Sequence, residues 1–372
     1  MTMGTTNTIR KREVSVSREA ERRNTCARLK AFTKRRNHSP RRLLNEVLSI
    51  PSRALHCARP LNYPMSLIIE PTTACQLKCP LCPVGLGTLK RATQHMRFET
   101  FRKVVDDVGD YIYSISLNGA GEPLLNQRII QMIQYAKRKG IFIDVYTNLQ
   151  ARDEDFLRAL VRSGLDRFLI SMEGTSKDVY ESYRVNGSFE RITDNICLLV
   201  QEKKRSQSTV SIDLQFVVMK ENEHQVEEVV PFAEALGVDN LFLKPAFLFQ
   251  EGHNIEKVQK FIPQNERLTM YKKDGQELHW KGARRKACPE LWVSSTILVD
   301  GSVAPCCFDY DGTVILGNVR KTSFRKIWRS QNYRRFRRKV TQDADSVGLC
   351  ASIEGGCPSL FFRPQNWLIH IR

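Results

Sequence analysis

Short apolar runs and helix-period stretches alternate through the middle of the chain, and their spacing predicts most of its elements. Ser66-Leu67-Ile68-Ile69-Glu70 predicts a short buried strand, followed by a loop from Cys75 to Pro83. Phe98, Phe101, Val104, Val105 and Val108 recur at helical spacing. Ile112–Leu117 predicts a strand, then a loop through Asn118-Gly119-Ala120-Gly121-Glu122-Pro123, then a helix over Gln127–Lys139 with Gly140 just past its end. A unit then repeats in which a helix ends at Gly and a strand begins two or three residues later. It occurs at Gly140 before Ile141–Tyr146, Gly164 before Arg167–Met172, and Gly237 before Asn240–Lys244, with a further strand over Val210–Met219. About six strands alternating with helices predict βα units and a parallel sheet, either open and doubly wound or curved into an incomplete barrel. In both, ligands sit at the carboxyl ends of the strands. The Cys loop, Gly121-Glu122-Pro123, Thr147-Asn148, Ser171-Met172-Glu173 and Lys244-Pro245 all fall there.

The rhythm fades after residue 250. The pattern divides the chain into an N-terminal extension (1–60), an α/β core (61–250), a polar connecting segment (251–287) and a Cys-containing, loop-rich region (288–372). In the last, Asp300-Gly301 between Thr296–Val299 and Ser302–Ala304 predicts a hairpin. Phe324–Lys339 predicts one basic helix, with Phe324, Ile327 and Trp328 buried and Arg334, Arg335, Arg337 and Arg338 facing water.

Charge changes the picture at one end. The 372 residues carry 58 Lys or Arg against 40 Asp or Glu, a net of +18. Residues 1–60 hold fifteen of the basic residues and four Glu, so the extension alone contributes +11. Such a segment can hold nucleic acid or an anionic membrane surface, or stand as a solvated arm. No apolar run approaches the ~20 residues of a membrane span, and no apolar stretch near the N-terminus suggests a secretory signal. Eleven cysteines in a chain that needs no disulfide staples suggest a reducing, cytoplasmic setting in which they bind metal or do redox chemistry.

Cys75-x3-Cys79-x2-Cys82 follows the first strand directly. Three thiolates on one loop can hold an iron–sulfur cube and leave one iron without a protein ligand, the open position that activating a substrate requires. Zinc is the alternative, with His95 the nearest fourth ligand.

At these residues the chain resembles the radical S-adenosylmethionine (SAM) superfamily, over roughly residues 64–360. Gly121-Glu122-Pro123 is similar to the family's Gly-Gly-Glu-Pro motif, whose backbone and Glu hold the amino group of the methionine moiety; here Ala120 displaces the first Gly to 119. Ser171 and Glu173 match the family's ribose- and carboxylate-contact region, and Arg184 is a candidate partner for the methionine carboxylate. Cys288-x12-Gly301-x4-Cys306 resembles the opening of the SPASM motif, and Leu316-Gly317-Asn318-Val319 with Ile327-Trp328 continues the likeness. Only Cys350 and Cys357 remain of its later cysteines. Cys288, Cys306, Cys350 and Cys357 suffice for one fully ligated [4Fe–4S] cube in a shortened, twitch-like domain, with Cys307 the alternative to Cys306 and structural zinc the alternative metal. Cys26, Cys57 and Cys197 stand alone.

The resemblance implies a partial (β/α)6 TIM-like barrel with a C-terminal SPASM/twitch iron–sulfur domain. It also implies an enzyme that reductively cleaves SAM to a 5′-deoxyadenosyl radical, which takes a hydrogen atom from the substrate. Because residues 1–60 show no strand-rich peptide-docking domain, the expected substrate is a small polar molecule, a sugar, aminocyclitol or nucleoside-like compound; the alternative is peptide maturation. The implied reductant is of flavodoxin or ferredoxin type. Tyr146, Asn148, Gln215 and Lys244 stand at the rim as candidate acid, base or substrate anchor, and the catalytic residues are not assigned. A zinc-stabilised nucleic-acid-binding protein is the reading from a different class.

Overall fold

The computed structural model describes residues 39–246, 259–274, 277–281, 285, 287–351, 357–360 and 367–371. Most of the basic extension, Cys26 and much of the connecting segment lie outside the described residues.

Six strands follow one another in the sheet in the order of the sequence: β1 (Ser66–Ile69), β2 (Ser114–Leu117), β3 (Phe142–Thr147), β4 (Arg167–Ser171), β5 (Ser211–Val218) and β6 (Asn240–Pro245), each parallel to the next. A doubly wound sheet reverses its strand order at a switch point. This one does not, and right-handed crossovers without reversal keep every helix on one face. The sheet is therefore a partial (β/α)6 barrel wall.

The strands are written for two faces. Leu67, Ile69, Ile115, Leu117, Ile143, Val145, Phe168, Ile170, Ile212, Leu214, Leu241 and Leu243 join the core against the helices Phe98–Val108, Ile129–Arg138, Glu154–Arg162 and Phe189–Arg205. The alternate residues face the lumen, as the period of two requires, and most are polar. Ser116 donates to Asp144 at 2.5 Å, Arg167 pairs with Asp144 at 2.7 Å, and Asn240 donates to Asp213 at 2.6 Å. Gly140, Gly164 and Gly237 take φ of 65°, 88° and 72°, the left-handed turn that the repeating unit needs.

The C-terminal region extends this sheet at both edges. β9 (Ser294–Ile297) lies parallel to β1, with Ser66 opposite Ser294; β10 (Ser302–Ala304) and β11 (Gly317–Asn318) follow antiparallel. β12 (Trp367–His370) lies antiparallel to β6. The expected hairpin at Asp300-Gly301 is present.

Three expectations change. The connecting segment contains an antiparallel pair, β7 (Tyr271–Asp274) and β8 (Glu277–Trp280), whose Tyr271, Leu278 and Trp280 pack with Cys288 and Cys357. The single basic helix is two, Phe324–Trp328 and Gln331–Gln342, because Ser330 between them caps the second by accepting from Tyr333 N at 3.2 Å. Arg337 does not face water. It is fully buried, donates to the carbonyls of Leu291 and Trp328 at 3.0 Å each, and lies against the rings of Trp328 and Tyr333. Burial holds its pKa down at about 10.

Arg167 is the cation of the lower lumen. Burial opposes its charge, and Asp144, Tyr146 and Asp213 outweigh burial to raise its pKa. Arg167→Leu should leave buried carboxylates unpaired and cost about 3 kcal/mol in urea denaturation; an unchanged midpoint would show that the lumen solvates them.

Candidate active site

The Cys loop begins where β1 ends. Thr72 and His95 form an isolated bridge, and Thr73 N donates to the Gln94 carbonyl at 3.1 Å, which closes the loop at its base. Cys82 N donates to the Cys79 carbonyl at 3.1 Å and Leu86 N to that of Cys82 at 2.9 Å, so the second and third cysteines share a tight turn. None of the described cysteines forms a disulfide. Cys79 is buried, while Cys75 and Cys82 are half-buried. Asn148 Nδ2 donates to Cys75 Sγ at 3.7 Å, and Arg184 Nη1 to Cys79 Sγ at 3.5 Å. Burial pushes the Cys75 thiol up to about 12 and raises that of Cys79.

The next loop lies directly on this one. Glu122 N donates to the Ala74 carbonyl at 2.7 Å, and a Cβ on Gly121 would stand 2.4 Å from that oxygen and 2.6 Å from the Thr72 carbonyl oxygen. Only glycine permits that approach. Pro123 opens a short 3-10 turn over Pro123–Leu125. The Glu122 carboxylate is fully engaged by the protein: Oε1 accepts from Leu124 N at 3.0 Å and Thr147 Oγ1 at 2.8 Å, and Oε2 from Asn148 N at 2.7 Å. Burial raises its pKa against those three bonds. It staples the loop after β2 to the end of β3.

Ser171 ends β4, half-buried, and Glu173 follows it into the interior. Arg184 Nε donates to Glu173 Oε2 in a short ion pair, so the guanidinium lies between Glu173 and Cys79. Glu173 Oε1 is buried and accepts no hydrogen bond. Further along the rim, Lys244 Nζ donates to Gln215 Oε1 and lies 5.8 Å from the centre of the Tyr146 ring. Asn148 sits apart from these three, with its Oδ1 accepting from Gln76 Nε2 at 2.9 Å.

The residues that sequence reasoning passed over are Glu70 and Arg91. They form a bidentate ion pair at 2.6 Å per bond, with Glu70 1% and Arg91 14% exposed. Glu70 Oε1 also accepts from Ala120 N at 3.1 Å and Oε2 from Val299 N at 3.0 Å. Arg91 Nε donates to the Tyr310 carbonyl. Burial works against the charge of Arg91, and Glu70 more than offsets it. One carboxylate thus gathers the Cys loop, the Gly121 loop and the β9–β10 hairpin. A carboxylate ending an apolar strand was the available signal.

The cysteines of the second set lie near enough to one another to interact. Cys288 and Cys357 are buried, Cys306 and Cys350 are half-buried, and Cys307 is exposed. Burial raises the thiols of Cys288 and Cys306 and pushes that of Cys350 up to about 12. Each is raised further by neighbours in the set: Cys288 by Cys357 and Cys350, Cys306 by Cys307, Cys357 and Cys288.

The sequence signature of the radical SAM superfamily matches residues 69–233, and that of the SPASM iron–sulfur cluster-binding domain matches residues 288–358. The chain belongs to the radical SAM superfamily. It is 24% identical to the PqqA peptide cyclase of Gluconobacter oxydans over 282 residues, covering 71% of this chain and 76% of that protein. It is 22% identical to the AdoMet-dependent heme synthase of Methanosarcina barkeri over 324 residues, 78% and 89% of the two chains. Among solved structures, SuiB of Streptococcus suis bound to S-adenosylmethionine superposes with a TM-score of 0.58 at 17% identity, over 80% of this chain and 73% of SuiB. The same fold is seen in anSMEcpe with bound AdoMet, at a TM-score of 0.55 and 16% identity, over 80% and 86% of the chains.

As a radical SAM enzyme the protein uses a [4Fe–4S] cluster and S-adenosylmethionine, and its SPASM domain adds iron–sulfur chemistry. The zinc-stabilised nucleic-acid-binding reading is set aside by the two matches. The residues present fit these groups. Cys75, Cys79 and Cys82 stand on one loop, and Asn148 Nδ2 and Arg184 Nη1 donate to two of their sulfurs. The orphaned Glu173 Oε1 offers a buried acceptor to an incoming ammonium or hydroxyl.

Glu70→Gln should cost about 3 kcal/mol by leaving Arg91 without its counter-charge. Equal urea midpoints for the two proteins would show that Arg91 finds another partner.

Proposed function

We propose that Cys75, Cys79 and Cys82 hold the catalytic [4Fe–4S] cluster, and that Cys288, Cys306, Cys350 and Cys357 hold one auxiliary cluster. Half-buried Cys306 rather than exposed Cys307 is the ligand. When bound, the catalytic cluster supplies the electron for reductive cleavage of SAM. The chain's own part is positional. Asn148 and Arg184 donate to the cysteine sulfurs and so favour their anionic form. Gly121 lets its loop, with the backbone that would meet the methionine moiety, lie against the Cys loop, Glu173 Oε1 accepts a donor from the cofactor, and Ser171 precedes it at the end of β4. Glu122 positions the loop. Arg184 is held by Glu173, so its role is to orient that carboxylate and neutralise sulfur charge rather than to grip the methionine carboxylate alone.

The observation that carries the substrate class is the group of Tyr146 and Lys244, at the carboxyl ends of β3 and β6, with Gln215 of β5, level with the end of β4. It presents an ammonium, an amide and a phenol inside the lumen, on the end of the sheet that carries the Cys loop. An ammonium there favours hydroxyl or acidic groups and repels a second cation, so a sugar or nucleoside-like substrate with an anionic group fits better than an aminocyclitol. A second reading, peptide modification, is supported by the PqqA peptide cyclase and by SuiB, one structure of which is bound to the precursor peptide SuiA. Exposed Arg335, Arg338 and Lys339 on the helix Gln331–Gln342 offer a docking face to an acidic flavodoxin- or ferredoxin-type reductant.

Protein purified without oxygen should carry about eight iron per chain, two cubes of four. Cys79→Ala should abolish 5′-deoxyadenosine release under reducing conditions, and Cys350→Ala should lower the iron to about four while part of the release persists. Zinc without iron refutes the assignment. Lys244→Met should keep the iron and the substrate-independent release while weakening stimulation by an acidic sugar or nucleotide about tenfold. Stimulation by a peptide alone, unaffected by this change, would select the second reading.

A further inference from the structure

The helix Pro40–Ala54 is amphipathic with its faces reversed. Its buried side is polar: Arg42, Asn45, Ser49 and Ser52. Its outward side is aliphatic: Leu43, Leu44, Val47 and Ile50, continued by Leu55, at 45–74% exposure. The spacing 43, 44, 47, 50 is one continuous stripe along a helix.

The polar face is not loosely held. Arg42 donates to the carbonyls of Gly140 at 2.9 Å, Lys139 at 2.8 Å and Gly109 at 3.1 Å, closing the C-terminal ends of two barrel helices. Asn45 Nδ2 donates to the Tyr63 and Tyr111 carbonyls at 3.1 Å each, and its Oδ1 accepts from Tyr63 N at 2.7 Å. All these partners stand just before β1, β2 or β3. The helix is therefore fixed across the amino ends of the strands, and the Cys loop lies at the carboxyl ends.

We propose that this stripe docks the protein on an anionic lipid surface, with the active site turned away from it. Charge selects that occupant. By sequence, the 39 residues before the helix hold eleven Lys or Arg and three Glu; exposed Arg53 flanks the stripe, as does Arg41, which is paired with Asp110 at 2.5 Å. A second copy would bring the same positive charge against itself, in a chain of net +18. A protein partner is less well matched, because the stripe is convex and aliphatic and lacks the aromatic anchors of a protein interface. Stable peripheral attachment takes two signals, an inserted apolar group and a polybasic segment, and both are adjacent here. The mode is surface attachment: no helix among the described residues is long and apolar enough to cross a membrane.

The test is flotation of the full-length, iron-loaded protein with phosphatidylcholine vesicles containing about one third phosphatidylglycerol, against pure phosphatidylcholine, at low and high salt. The protein should float with the anionic vesicles only, and less at high salt. The double variant L44Q/V47Q alters exposed residues alone, so its iron content and circular dichroism should be unchanged while vesicle binding falls about tenfold. Val47→Glu provides a second variant. Absence of binding to anionic vesicles overturns the proposal, and so does binding that L44Q/V47Q leaves intact, which would assign it to the basic segment alone. A dimer that the double variant dissolves, without vesicle binding, overturns it in favour of a second copy.

Discussion

The buried pair of Glu70 and Arg91 is the constraint on which the rest of the site depends. A carboxylate at the end of β1 is costly in an apolar barrel wall unless every lone pair is met. Here two come from Arg91, one from the backbone of Ala120 and one from that of Val299. Those partners belong to the chain just past the Cys loop, to the loop after β2 and to the hairpin that begins the C-terminal region. The charge cannot be satisfied unless three distant segments arrive together, so it specifies their arrangement more than it adds stability. Gly121 then allows the second loop to lie against the first, and Glu122 ties that loop to β3.

The lumen follows a similar logic. Helices on one face of the sheet demand aliphatic residues at alternate positions, leaving the other positions free to be polar. The lower positions hold a polar network in which Arg167 pairs with Asp144 and Asn240 with Asp213. The upper ones, Tyr146, Gln215 and Lys244, hold donors where a ligand can meet them. Rigid scaffold and reactive rim thus come from the same strands, one residue out of phase.

Much of this was legible in the sequence because it rests on local rules. Helix-end glycines, period-two strands and the Asp300-Gly301 turn are set by neighbours in the chain. The Cys75, Cys79 and Cys82 spacing carries its chemistry on one loop. What was not legible depends on long-range pairing. Glu70 reads as the polar end of a strand until Arg91, Ala120 and Val299 are placed around it. Arg337 sits among basic residues and reads as surface, and only the rings of Trp328 and Tyr333 with the carbonyls behind them make an interior site for it. Strand order, which separates a barrel from a doubly wound sheet, is a tertiary property that spacing does not carry.

The parallel pairing of β1 with β9 has a consequence for the order of events during synthesis. Ser66 meets the Val293 backbone across 227 residues of chain, so one edge of the first strand stays unsatisfied until most of the polypeptide has left the ribosome. Contacts of such separation form late and slowly. Glu70 likewise lacks its Val299 partner until that segment is made, so the hairpin side of the loop closes only after the barrel strands have been synthesised.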